Sequence, residues 1–294
     1  MKVLITGSNG FLGHYLALHL LNNHHQVIAT AKGGNRLSFQ HPGLVYEEMD
    51  FTDTSIVNAV FDQHRPSHII HAGAISKPDA CELNKPLADE VNITGTAILL
   101  AAAKRYATTF LFCSTDFVFD GIRGMYTEDD ERNPVNYYGI TKLHAEELVK
   151  KYGHTWSIVR TVLVYGKAFN KQNNIVTVIK NKLEKGERYE VFSDQVRTPT
   201  YAEDFAKGVA AMLEKNVTGI YNICGEEILT PYDMAIAIAE YLKLDTSLIK
   251  KATVADFVQA AVRPPKTGLT IDKAKRDLGY QPVSFKEGLA KSLQ

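Results

Sequence analysis

At 294 residues, with 45% hydrophobic and 22% charged side chains, the chain has an ordinary folded composition and can bury a full core without disulfide or metal staples. Lys plus Arg and Asp plus Glu both number 33, giving a formal net charge of zero with no long block of like charge, which argues against a nucleic-acid partner. Cys81, Cys113 and Cys224 have neither metal-ligand nor disulfide spacing, and no apolar run reaches the length of a membrane span or signal-peptide core, so a cytoplasmic protein with no metal and no membrane partner is expected.

Short apolar, β-branched runs alternate with longer stretches of helical period, the pattern of strand-helix-strand units that build a parallel sheet. In chain order the predicted strands are KVLIT (2–6), QVIAT (26–30), LVYEE (44–48), HIIHA (68–72), TFLFCS (109–114), WSIVRT (156–161) and GIYNIC (219–224). Helices are predicted over 11–22, 54–64, 86–106, 138–152 and 202–215. Two stretches break the alternation, 166–200 with its NKQNN run and 225–294 with Pro264 and Pro265. The expected fold is α/β: a Rossmann-type doubly wound parallel sheet from 1–165, with 201–224 returning to it. A smaller, discontinuous substrate lobe from 166–200 and 225–294 would then close over the carboxyl ends of the strands.

The first strand runs into TGSNGFLG, where Gly7, Gly10 and Gly13 recur every third residue before an amphipathic stretch. Gly7 suits the tight turn out of the strand, Gly10 the approach of backbone N–H groups to a pyrophosphate, and Gly13 the close packing of helix on sheet. Asn9, Phe11 and Leu12 complete this dinucleotide-binding turn. After the second strand no acidic residue is placed to hold the ribose hydroxyls of NAD; Lys32 and Arg36 stand there instead, which favours NADP over NAD. Asp50 and Phe51 follow the third strand, where a carboxylate can accept from an adenine amino group. The small residues Ala72, Gly73 and Ala74 end the fourth, where backbone passes close to a dinucleotide.

Two clusters carry chemistry: STDFVFDG at 114–121 and YGITK at 138–142. Tyr138 and Lys142 are four residues apart, so on a helix they share a face. An ammonium one turn away, together with an oxidised nicotinamide, would stabilise the anion of a phenol that is otherwise a poor acid near neutrality. Thr115 would hold a substrate oxygen against that phenol. The histidines form no ligand set; His71 reads as structural, and Cys113 as a small buried apolar residue. Arg197 could meet a substrate phosphate or a neighbouring carboxylate, and Arg263 a nucleotide diphosphate or its own lobe.

With these motifs in view, TGSNGFLG, STDFVFDG and YGITKLHAEE together resemble the extended short-chain dehydrogenase/reductase family, and more narrowly its dTDP-4-dehydrorhamnose reductase branch. The likeness continues through HAGAISKPDACE, VNITGT, VRTVLVYG, SDQVRTPTYAEDFA and RPPKTGLTIDKAK. It implies an NAD(P)-dependent oxidoreductase acting on a small-molecule, nucleotide-sugar-like keto substrate. It also implies Tyr138 as proton donor, Lys142 as its modulator and a cofactor contact, and Thr115 as the hydroxyl that orients the keto oxygen. Ser76, Asp116, Gln195 and Arg197 fall on the substrate side. The branch carries tyrosine where this chain has Phe117 and tryptophan where it has Leu163. Sugar-nucleotide dehydratases of the family need an Asp-Glu pair after the threonine, and here Asp116 is followed by Phe117. An epimerase with tightly held cofactor, or a non-catalytic NADP-binding subunit such as the regulatory subunit of methionine adenosyltransferase, are the alternatives. A homodimer is left open.

Overall fold

The computed structural model describes residues 1–169 and 172–294; Asn170 and Lys171, within the NKQNN run, lie outside the described residues. The amino-terminal half builds β1 (Lys2–Thr6), α1 (Phe11–Asn22), β2 (Gln26–Ala31), β3 (Leu44–Glu48), α2 (Thr54–His64) and β4 (His68–His71). There follow α3 (Pro78–Leu83), α4 (Lys85–Asp89), a π-helical turn (Glu90–Thr94) and α5 (Gly95–Lys104), then β5 (Thr109–Thr115) and α6 (Tyr137–Lys150). The helix predicted over 86–106 is thus one helical stretch interrupted by a wide turn, because the Thr96 hydroxyl donates to the Asn92 carbonyl while the Asn92 side chain bonds outside the helix. The remainder comprises β6 (Trp156–Thr161), β7 (Val164–Tyr165), α7 (Ile175–Glu184), β8 (Tyr189–Phe192), β9 (Thr200–Tyr201), α8 (Ala202–Glu214), β10 (Gly219–Asn222), α9 (Pro231–Leu242), β11 (Ile249–Ala252), α10 (Asp272–Leu278) and α11 (Phe285–Ser292).

Seven strands form one parallel sheet in the order β10-β6-β5-β4-β1-β2-β3. The chain winds outward from β1 in both directions, so β1 and β4 are neighbours whose following segments leave toward opposite faces, and this is where such a sheet opens a crevice. Thr6 stands opposite both Thr30 on β2 and His71 on β4. One face buries α1 and α8 through Leu16, Leu20, Phe205 and Val209; the other buries α2, α5 and α6 through Phe61, Leu99, Ala145 and Val149. A third core joins α7, α9 and α11 around Ile179, Met234, Ile238 and Phe285, with β8 and β11 paired beside it. Leu269, Ile271, Ala274 and Tyr280 pack instead in the core under α8.

Two glycines around the turn after β1 leave no room for a side chain. Gly7 has φ +69°, and a Cβ on it would sit 2.8 Å from Gly73 Cα; a Cβ on Gly13 would sit 2.3 Å from the Gly7 carbonyl oxygen. Close approach of three backbone segments therefore sets how near α1 lies to β1 and β4. Gly13→Ala is expected to cost about 1–3 kcal/mol through overpacking, seen as a lower urea midpoint at unchanged slope. Gly153, where an added Cβ would meet nothing within 4 Å, supplies the control: its Ala variant should stay within about 0.5 kcal/mol of the parent.

Candidate active site

A cavity of about 570 Å³ opens at the carboxyl ends of the strands. Its floor is the glycine turn, contributed by Gly7, Asn9, Gly10, Phe11, Leu12 and Gly13. One wall carries Lys32 and Arg36; another carries Ala72, Gly73, Ala74 and Ser76. Thr115, Asp116, Tyr138, Lys142 and Arg197 line the same space, with Phe117 and Leu163 among its apolar lining. Asp50, Phe51 and Gln195 stand outside that lining. Phe51 packs edge-on to His71 and beneath Gly73, while Asp50 reaches the cavity through Lys32, whose Nζ lies 2.7 Å from its carboxylate. That ammonium and the Thr52 hydroxyl bring the Asp50 carboxyl down to about 2. A groove of similar volume, about 540 Å³, runs past Glu128–Arg132 and Lys150. Its charges answer one another, Glu147 receiving both Arg132 and Lys150.

The floor fits an anion. Gly10 caps α1 without a side-chain hydrogen bond and no acidic residue occupies the first turn, so the amino-terminal N–H groups and the positive end of the helix dipole are left for a ligand. Asn9 steadies the approach, accepting from the Arg36 amide and donating to the Gly34 carbonyl.

Asn136 caps α6 by accepting from the Gly139 amide, which fixes the helix start one residue before Tyr138. Lys142 is buried; its Nζ donates to the Cys113 carbonyl at 2.7 Å and sits 3.9 Å from the centre of the Phe112 ring. Burial lowers its pKa to about 8. The Tyr138 phenol is pushed up by burial, with the Thr115 hydroxyl acting in the opposite sense. The spacing suggested a phenol acidified by its lysine; in the folded chain desolvation dominates the phenol and the lysine's hydrogen bond goes to a backbone carbonyl. Thr115 accepts from the Phe117 amide and donates to Asp116 Oδ1 at 3.0 Å. Asp116 is 4% exposed, its carboxyl raised by burial against the pull of Arg197, and its Oδ2 has no hydrogen-bond partner. Gln195, also 4% exposed, accepts from Arg197 Nη2 while its own Nε2 is unpartnered. Arg197 is further held by the Val196 and Pro265 carbonyls, and Arg263 forms a two-pronged pair with Asp79 on α3. Phe117 lies edge-on to Tyr138, with Arg197 over its ring, and Leu163 is held at φ +32°, a strained backbone beside the cavity.

Two residues support the site from behind: Asn92, which sequence reasoning left without a role, and His71, which it read as structural. Asn92 exchanges hydrogen bonds with the Ile75 backbone and donates to Thr141, whose hydroxyl donates to the Tyr138 carbonyl; its only sequence signal was the VNITGT run. His71 is buried between Thr6 Oγ1 at 2.7 Å and Thr96 Oγ1 at 3.0 Å. Thr96 spends its proton on the Asn92 carbonyl, so His71 Nε2 carries a proton and donates; burial keeps the imidazole neutral, which leaves Nδ1 to accept from Thr6.

The RmlD substrate binding domain model matches residues 1–294. A dTDP-4-dehydrorhamnose reductase of Aggregatibacter actinomycetemcomitans is 32% identical, covering 98% of this chain and 97% of that one. The methionine adenosyltransferase 2 subunit beta of Bos taurus is 27% identical, covering 99% and 87%. The crystal structure of a Bacillus anthracis dTDP-4-dehydrorhamnose reductase in complex with NADP superposes with a TM-score of 0.88 at 27% identity, covering 99% and 98%.

Because Lys142 binds its proton more weakly folded than unfolded, its burial destabilises the chain fully below about pH 8, by roughly 3 kcal/mol. Stability should recover as pH rises from there toward the ordinary lysine value, where both states lose the proton. Lys142→Met is therefore expected to unfold at higher urea than the parent at pH 7, with the gap narrowing by pH 10; a constant gap would show that the ammonium is not the source.

Proposed function

The chain belongs to the RmlD substrate binding domain family, and from that premise we propose that it is a cytoplasmic oxidoreductase of the extended short-chain dehydrogenase/reductase type, reducing a keto group on a nucleotide sugar with NADPH. The observation that carries this reading is the gathering of the glycine turn, Thr115, Tyr138 and Lys142 around one cavity. The named activity of a relative at 32% identity over nearly the whole chain supports the substrate class. Residues 166–200, with the part of 225–294 that does not pack under α8, form the substrate side.

NADPH, when bound, supplies the reducing equivalents. The open start of α1 and the glycine turn would hold its pyrophosphate, and Lys32 and Arg36 would take the 2′-phosphate, Lys32 from its pairing with Asp50. Tyr138, kept protonated by burial, presents its hydroxyl to the keto oxygen as charge develops there. Lys142, lining the same cavity, would add a positive charge that favours the phenolate left behind, and Thr115 would orient the oxygen. Asp116 Oδ2, an unpartnered acceptor on the cavity lining, would answer a sugar hydroxyl, while Gln195 reaches the site through Arg197. Phe117 and Leu163 give the sugar an apolar wall in place of hydroxyl and indole groups.

NADPH absorbance followed with a panel of 4-keto nucleotide sugars tests the proposal. At least one sugar should be reduced stoichiometrically, and Tyr138→Phe should lose about 100-fold or more in kcat while still binding NADPH. The likeness to a methionine adenosyltransferase subunit favours a second reading, binding without turnover; a Tyr138→Phe variant that keeps full biological function would select it.

Cofactor choice has its own test. NADPH should bind more tightly than NADH, and Lys32→Ala or Arg36→Ala should each weaken NADPH by about tenfold with little effect on NADH. Equal dissociation constants for the two nucleotides in the parent protein would remove the preference.

A further inference from the structure

We infer that Glu146 is a positioning residue for the reduction proposed above, locking the helix that carries Tyr138 and Lys142 in register against the strand that carries Thr115. This rests on that reading of the site. Glu146 lies on α6 one turn beyond Lys142 and two beyond Tyr138, and its side chain is fully buried. Its two oxygens accept four hydrogen bonds. Oε1 takes Ser114 Oγ at 2.7 Å and Arg160 Nε at 3.0 Å; Oε2 takes Arg160 Nη2 at 2.8 Å and Arg132 Nη1 at 3.0 Å.

The donors come from three places. Ser114 is the residue before Thr115 on β5, Arg160 stands directly opposite Ser114 on β6, and Arg132 comes from the segment between β5 and α6. Arg160 is itself fully buried and extends the network, its Nη1 donating to the Glu128 carbonyl, while the Glu128 carboxylate accepts from the Asn222 amide on β10. One carboxylate therefore joins the catalytic helix to the ends of two central strands and, through Arg160, to the sheet edge.

Docking of α6 does not need this cluster, because Ala145 and Val149 already bury the helix against the core of Phe110, Phe112 and Ile158. Apolar contact permits small slides and rotations; four directional bonds to a rigid sheet do not. Buried ion pairs are poor sources of stability compared with apolar groups of the same volume, and their best-attested use is to fix a register. Here the register in question is that of the phenol at 138 relative to the hydroxyl at 115, and reaction rates are steep in such placement. The Glu146 charge also favours the ammonium of Lys142.

The test uses the full chain with NADPH and a 4-keto nucleotide sugar that the parent protein reduces. Glu146→Gln keeps the shape but drops the charge and is expected to lower kcat by about 100-fold. Its KM and its NADPH dissociation constant should stay within about twofold, since Glu146 lies behind the cavity lining and meets it only through Ser114. Ser114→Ala leaves the ion pair whole and removes one bond; kcat should fall about five- to tenfold at an unchanged melting temperature. Should Glu146→Gln not fold, Ser114→Ala and Arg132→Gln carry the test by the same split of kcat from KM. A loss of activity that only follows the loss of folded protein, or parental kcat in the variants that fold, overturns the inference and leaves the reductase reading standing. A parent protein that reduces no sugar in the panel removes the reductase reading and this inference with it.

Discussion

A lysine ammonium taken out of water needs a counter-charge or a ring of acceptors, and Lys142 is held instead by the carbonyl of Cys113 with an aromatic face beneath it. The arrangement keeps the cation weakly bound to its proton and places it at the end of β5, beside the turn where Thr115 and Asp116 begin. Around it the fold supplies only short, rigid supports: a strand end, the first turns of a capped helix, and the glycine turn across the crevice. The parallel winding that separates the paths after β1 and β4 makes the crevice; the buried lysine gives it polarity.

Two buried charges on one helix are handled differently. Glu146 is saturated by donors and cannot readily change its state, whereas Lys142 has one hydrogen-bonded oxygen and a depressed pKa. The contrast separates a group that holds geometry from a group that responds to charge on its neighbour. Asp116 and Gln195 add a third kind of group, buried polar atoms with unfilled hydrogen-bonding capacity, which a folded interior tolerates mainly where a ligand completes them.

The sheet was legible because continuous apolar runs and helical periods differ in length and pattern, and the glycine turn because φ and close approach leave glycine no substitute at Gly7 and Gly13. Tyr138 and Lys142 were legible as a pair since helical spacing puts them on one face. The electrostatics were not. Nothing in YGITK tells that the lysine will bond the carbonyl of residue 113, or that Lys32 will meet Asp50 from beyond the next strand. Arg263 and Asp79 are 184 positions apart, and their pairing is a product of the lobe's path alone. The interrupted helix at Glu90–Thr94 escaped because its cause, Asn92 bonding to the Ile75 backbone, is tertiary.

The row from Gly73 through Thr6, His71 and Thr96 to Asn92 has a donor-only amide at one end and an acceptor-only carbonyl at the other. Every hydrogen in it must therefore point the same way, and no rearrangement can reverse them while both ends stay bonded. A histidine in the centre of an oxidoreductase-like sheet invites the idea of a proton wire. With its imidazole neutral, this one reads as a strut: the backbone at both ends fixes its direction, and it ties the loop after β4 to the π-helical turn at Glu90–Thr94.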